Sequence, residues 1–266
     1  MKKSTRRLII GLTLAVLILP LIPLALWSVA WRWDFPALLP EFDLWAWGEI
    51  GSGKILRAIK VSIPLSLTVV LLALLLSFFP AKILGTSHFR GKRIIEALLL
   101  LPCFIPQISV VFGMQTVFRS LGIYSTAAGV VTAQLVFQVP YLTLLLSAVF
   151  RAYDVQLEQQ AACLGVGKLH TLWHVCLPAV RPGVMVSCVF SFIGSWGCYL
   201  LTAVIGPTKL QTLPVVLFPM MSSGNNSYPL IAAVTLIYIS PVLLFLALSA
   251  KVITGEGYEP GKGGLM

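Results

Sequence analysis

The chain has 266 residues, 58% of them hydrophobic and 11% charged, with a mean hydropathy of +0.94 and a formal charge of +10. Soluble domains carry about 25% charged residues, so this composition excludes an ordinary soluble fold and indicates a bundle solvated by lipid. Lys and Arg gather at the ends of apolar runs rather than on a basic face with exposed aromatics. That pattern belongs to a membrane surface and argues against nucleic acid.

Six apolar segments, at about 8–30, 61–84, 94–118, 126–150, 183–205 and 228–252, are each long enough to cross a hydrocarbon core of about 30 Å. Only helices satisfy every backbone polar group within a lipid-exposed segment. The expected fold is therefore an all-α integral membrane protein with six transmembrane helices, forming a single domain over residues 1–266. The first segment follows Lys2, Lys3, Arg6 and Arg7 and ends near Ser28-Val29-Ala30, like a secretory signal. Its apolar run exceeds the roughly 7–15 residues of a signal core, so an uncleaved first span is expected.

Residues 31–56 carry Trp31, Trp33, Trp45 and Trp47. Tryptophan favours the headgroup region, so this stretch reads as a short interfacial helix or as a docking contact for an external partner. It also holds Gly48-Glu49-Ile50-Gly51-Ser52-Gly53-Lys54-Ile55, a nucleotide-binding loop in all but its last position. Ile55 stands where Ser or Thr must ligate magnesium, and no buried strand is expected before it, so nucleotide binding is not expected here.

Further along, Pro64, Pro102, Pro106, Pro140 and Pro241 fall inside expected spans, where they mark kinks or helix ends. Pro102 and Pro106 are expected to give a packing kink in the third span, the alternative being a break beside a pathway. Thirteen basic residues (the four at the N-terminus, Lys82, Arg90, Lys92, Arg93, Arg151, Lys168, Arg181, Lys251 and Lys262) fall on one side. Arg32, Lys54, Arg57, Lys60, Arg119 and Lys209 make six on the other. The positive-inside rule then places both termini and the loop at about 151–182 in the cytoplasm.

The spans hold neutral polar side chains, Gln107, Gln115, Gln134, Gln138, Thr143, Ser191, Ser195, Tyr199 and Thr202, which either line a pathway or join helices. Intramembrane charges of the kind that coupled carriers use are lacking, Glu96 lying near the basic end. No catalytic set of Ser, Cys or carboxylates is evident. His170 and His174 share a helix face but lack a third ligand, so no metal is expected. Cys103, Cys163, Cys176, Cys188 and Cys198 show no paired spacing and are expected to be reduced packing residues.

The polar stretch 157–182, LEQQAACLGVGKLHTLWHVCLPAVRP, has an internal order: a helix-forming run with small residues, Gly165, a basic stretch, then Leu177-Pro178. Its spacing resembles the signature loop of permease subunits of binding-protein-dependent, type I ABC importers: Glu-Ala-Ala, three residues, Gly, nine residues, an aliphatic residue, one residue, Leu-Pro. Here Gln159-Gln160-Ala161 occupies the first triplet and Val175 the aliphatic position. Phe89-Arg90-Gly91-Lys92-Arg93, Leu101-Pro102 with Pro106, Ala152-Tyr153-Asp154 and Gln211-Thr212-Leu213-Pro214 are similar to the same family, most closely to polyamine, ferric iron, thiamine and phosphonate permeases.

The resemblance implies that residues 158–168 form a cytoplasmic coupling helix between the fourth and fifth spans, docking in a groove of an ATPase. Glu158, Gln159, Gln160, Ala161, Ala162, Leu164, Gly165, Lys168, Leu177 and Pro178 are the implied coupling residues. The family's acidic residue falls at Gln159, and Glu158 would point about 100° away around the helix. Implied partners are a second permease, two ATPase subunits that hold ATP and magnesium, an extracytoplasmic solute-binding protein and lipid, in a bacterial inner membrane. The chain itself would hydrolyse nothing. A stand-alone secondary carrier or channel, and a membrane-embedded enzyme, are the competing readings.

Overall fold

The computed structural model describes residues 11–12, 15–16, 19–33, 39–51, 53–206, 210–222 and 227–254. The N-terminal basic cluster, Lys209, Lys262, Ser52 and parts of the first expected span lie outside these residues. In chain order come α1 (Leu21–Ser28), β1 (Ala30–Arg32), β2 (Glu41–Phe42), α2 (Trp45–Ile50), α3 (Lys54–Thr86), α4 (Lys92–Phe104) and α5 (Gln107–Ser120). Then follow α6 (Ala127–Arg151), α7 (Gln156–Cys163), α8 (Lys168–Thr171), a π-turn (Leu172–Cys176), α9 (Leu177–Trp196), α10 (Leu200–Ile205), α11 (Leu213–Ser222) and α12 (Tyr228–Thr254).

The chain forms two compact units, Met1–Ser62 with Gln211–Pro241, and Ile63–Leu210 with Val242–Met266. In the first, β1 and β2 pair antiparallel with Ala30 opposite Phe42. Asp43 then accepts the Trp45 backbone N–H at 2.6 Å and starts α2. Trp27 packs on Trp33 and Tyr228 at 5.1 and 5.3 Å, and Trp31 meets Trp45 edge-on at 6.0 Å. The tryptophan stretch thus contains a short helix, as its composition suggested, and also a two-stranded hairpin. Ser62 Oγ accepts the Leu213 N–H at 2.7 Å, tying α11 to α3.

The second unit shows lipid acting as a solvent. On α3, Ser66, Val69, Ala73, Ser77, Ala81 and Leu84 are buried at helical spacing, while Leu67, Leu71, Leu75, Phe79 and Ile83 are exposed on the other side. A helix apolar on its exposed face needs hydrocarbon around it. Because lipid removes the hydrophobic drive between helices, close packing at small residues must hold them together. Gly85 of α3 lies directly against Phe150 of α6, and Gly183 of α9 against Val149, leaving no room for a Cβ at either position. Around those crossings Phe78, Leu142, Leu146, Phe150, Cys176 and Val180 form one core, with Phe78 and Phe150 edge-on at 5.3 Å. Val111, Phe118, Val130, Ala133, Leu201 and Ile205 form another.

Among the described residues, four helices have the length and composition to cross a membrane: Lys54–Thr86, Ala127–Arg151, the continuous run Lys168–Trp196, and Tyr228–Ser249. A fifth arises if α4 and α5 count as one span, and they are bent by 93°. The expected third span is therefore broken rather than kinked. Ile105, immediately before Pro106, is pushed to extended backbone (φ −82°, ψ 131°), which ends α4, and the helix restarts at Gln107. Pro102, by contrast, stays inside α4.

The expected fifth span, 183–205, also shifts. The helix starts at Lys168 and stops at Trp196, with α10 separate beyond Gly197. Leu177-Pro178, expected near the end of the loop, lies within this continuous helix. Pro178 lacks an N–H and crowds the carbonyl four residues earlier, which accounts for the π-turn just before it.

Candidate functional site

Helix α7 sits between two long helices and is bounded by well-made turns. At its start, Asp154 Oδ1 accepts the Gln156 N–H at 2.9 Å. At its end, Gly165 adopts φ +76°, its N–H donates to Ala162 O and the Val166 N–H donates to Ala161 O, both at 3.0 Å. These two bonds are the Schellman pattern, which requires a left-handed residue and so favours glycine. A Cβ at Gly165 would meet nothing within 4 Å. The glycine is thus needed for backbone conformation, and the space beside it is open.

The helix has two unlike faces. Outward, Gln156, Gln159, Gln160, Ala162, Cys163 and Leu164 are exposed, Leu164 to 83%. Inward, Ala161 is buried, and Glu158 carries both oxygens to Lys82 Nζ of α3, at 2.7 and 2.9 Å. Tyr153 lies beside this carboxylate, its hydroxyl buried. Burial acts to raise the Glu158 pKa, but Lys82 and Tyr153 outweigh it and hold the carboxyl below its ordinary value. Burial, then the neighbouring carboxylate, push the Tyr153 hydroxyl up. A depressed carboxylate stabilises the fold above the ordinary Glu range and loses that contribution as pH falls through its folded value, so the pair is ionised at neutral pH.

Glu158 thus faces α3, whereas Gln159 is exposed on the outward face. Lys168 is exposed at the start of α8, Leu177 is half-buried and Pro178 exposed. Phe79, Lys82, Val155, Gln159, Ala162 and Leu169 border an open groove of about 620 Å³. Arg151 and Glu96 pair at 2.7 Å, so the acid seen beside the basic end has a partner.

The neutral polar residues divide into three groups. Gln134 accepts from Ser195 Oγ at 2.6 Å and donates to Thr202 Oγ1 at 3.4 Å, joining α6, α9 and α10 at a buried point. Gln138 donates to the Ser191 carbonyl at 3.2 Å, while its own oxygen and the Ser191 hydroxyl are buried without partners. Gln138 also borders a cavity of about 390 Å³ with Pro102, Phe137, Tyr141, Phe190 and Gly194. Gln115 donates to the Tyr124 hydroxyl at 3.2 Å, Gln107 is exposed at the break before α5, and Tyr199 is half-buried before α10. Gln134→Leu is expected to lower the thermal stability of the detergent-solubilised chain by about 1–2 kcal/mol, since Ser195 loses its acceptor. An unchanged melting curve would contradict that joining role.

His170 and His174 stack at 3.8 Å, and among the described residues no group of three His, Cys, Asp or Glu side chains surrounds them. The glycine-rich run begins inside helix α2, at Gly48, rather than after a buried strand, so it lacks the surroundings of a nucleotide-binding loop. All five cysteines are free, with Cys176 buried and Cys103 and Cys163 exposed. Sequence reasoning did not anticipate the Lys82 contact. Lys82 and Glu158 are far apart in the chain, and Lys82 carried only a topological signal.

Long apolar helices, one pair of them sharply bent, define the class of helical membrane proteins. The profile of the binding-protein-dependent transport system inner membrane component family matches residues 73–253, and the chain belongs to that family. It is thus a type I ABC importer permease, an integral protein of the bacterial inner membrane. It is 26% identical to the trehalose transport permease SugB of Mycobacterium tuberculosis, over 78% of this chain and 76% of that one. It is 24% identical to the diacetylchitobiose uptake permease NgcG of Streptomyces coelicolor, over 79% and 70%. The molybdenum permease ModB of Mycobacterium tuberculosis is 28% identical over 86% of both chains. These three relatives are named for trehalose, diacetylchitobiose and molybdenum transport. The fold also matches a chain of a bacterial alginate ABC importer with TM-score 0.71 at 17% identity, covering 93% of this chain and 95% of that one. A chain of the MetNI methionine transporter matches with TM-score 0.60 at 14% identity, covering 75% and 94%.

Proposed function

We propose that the chain forms half of the translocation pathway of an ATP-driven importer and couples to a cytoplasmic ATPase through α7. The observation that carries this reading is the helix itself: short, rigidly ended, fixed on one side and bare on the other. Its bare face presents glutamines, small side chains and Leu164, a surface suited to docking by shape. The permease names of the relatives and the matched family support the transport role. A neighbouring alginate transporter structure contains a periplasmic protein carrying an alginate pentasaccharide, which supports an external binding protein as a third component.

The full assembly is a second permease, two ATPase subunits with ATP and magnesium, and a solute-binding protein. Both termini and α7 lie on the cytoplasmic side. Of the neutral candidates, Gln138 borders a cavity and is the favoured pathway residue, whereas Gln134, Ser195 and Thr202 serve chiefly to join helices.

The test is affinity purification of the co-expressed assembly, followed by uptake in proteoliposomes with and without ATP and binding protein. Uptake that persists without ATP and without an ATPase would establish a secondary carrier instead. Gln159→Glu is expected to change ATPase recovery by less than about threefold, because an exposed charge adds little. A larger change in either direction would show that the face depends on its neutrality.

A further inference from the structure

Resting on the reading that α7 docks on an ATPase, we infer that Lys82 and Glu158 form the joint through which α7 moves the membrane helix α3. Three observations lead there. First, α7 is closed at both ends by hydrogen-bonded turns, at Asp154 and at Gly165, so a contact made by its middle acts on the whole helix. Second, its middle meets α3 through one lysine nitrogen lying 2.7 and 2.9 Å from the two oxygens of a single carboxylate. Third, Lys82 belongs to a continuous helix, Lys54–Thr86, that hydrogen-bonds α6 higher up, Ser77 Oγ donating to Val139 O at 3.0 Å.

An ion pair reaching both carboxylate oxygens adds a directional link between α7 and α3 to the van der Waals packing that holds the spans together. Each side chain of the pair is about three-quarters buried, 24% and 23% exposed, so water cannot readily replace either partner. The acidic group one position from the family's usual place therefore works inward. It fixes α7 to the span, and the docking face remains neutral. Lys82 and Glu158 are positioning residues in this scheme and touch no solute or nucleotide.

The test uses the assembled transporter, with exposed Cys103 and Cys163 replaced by Ser. An environment-sensitive fluorophore is placed at Ile83→Cys on α3 or, separately, at Leu157→Cys on α7, and the probe is ATP with vanadate. In the parent both labels are expected to respond. In Lys82→Met the α7 label is expected to respond as before while the α3 response falls about tenfold, a loss of about 1.4 kcal/mol of coupling. Lys82→Arg and the reversed pair Lys82→Glu with Glu158→Lys are expected to restore it, which a merely structural role would not produce. A full α3 response in Lys82→Met, or no rescue by the reversed pair, overturns the joint while leaving the docking reading intact. An α7 label silent in the parent overturns the docking reading, and the joint with it.

Discussion

Gly165→Glu is expected to leave the spans folded while reducing the ATPase recovered with the affinity-purified permease by at least about tenfold. The residue sits at φ +76° with nothing within 4 Å of a would-be Cβ. An L side chain there costs about 1–2 kcal/mol of backbone strain but meets no steric clash, so insertion and packing survive. What changes is the docking side: the Schellman turn loosens, and a carboxylate appears beside Leu164. Gly165→Asn is the control, because Asn tolerates left-handed backbone without adding charge. Normal recovery of ATPase by a stable Gly165→Glu chain would place the docking face elsewhere.

Gly85→Leu is expected to do the opposite, destroying the fold and not merely its coupling. At Gly85 the backbones of α3 and α6 come so close that a Cβ would lie 2.9 Å from the carbonyl oxygen of Ser147 and against the Phe150 side chain. Backbone cannot yield as a flexible side chain would, so the helices must separate, at a cost of about 3 kcal/mol or more. The measurement is the monodisperse fraction and melting temperature in detergent, with Gly113→Ala as control, since a Cβ at Gly113 meets nothing within 4 Å. A Gly85→Leu chain melting within about 2 °C of the parent would refute the close crossing.

These variants also separate what was legible in the chain from what was not. The spans at 126–150 and 228–252 were found almost to the residue as α6 and α12, because an unbroken apolar run flanked by polar residues leaves little choice in lipid. The third span misled because two prolines four residues apart look alike in sequence. Only Pro106 ended the helix, by forcing Ile105 to extended backbone, while Pro102 was absorbed. The fifth span was placed too late because Lys168, His170 and Arg181 look like loop residues. In the fold they lie on a helix that begins at Lys168, with Arg181, Lys168 and His170 on exposed positions.

The signature loop shows the same division at finer scale. Its small residues, its glycine and its Leu-Pro were readable, and so was the absence of an acid at Gln159. The reason for the glycine was not: spacing marks its place in the loop, but only the folded backbone shows that this place requires left-handed φ. The role of Glu158 was not readable either. A helix period says that Glu158 and Gln159 differ by about 100°, but not which of them faces the membrane.

Local chemistry therefore decided the class of protein, the positions of its main spans and the family to which it belongs, since each depends on hydropathy and spacing along the chain. Which glutamine joins helices, which glycine admits a neighbouring backbone, and which lysine holds Glu158 depend on contacts between residues remote in sequence. Those contacts exist only once the helices have packed, because no local propensity encodes the direction in which a side chain finds its partner.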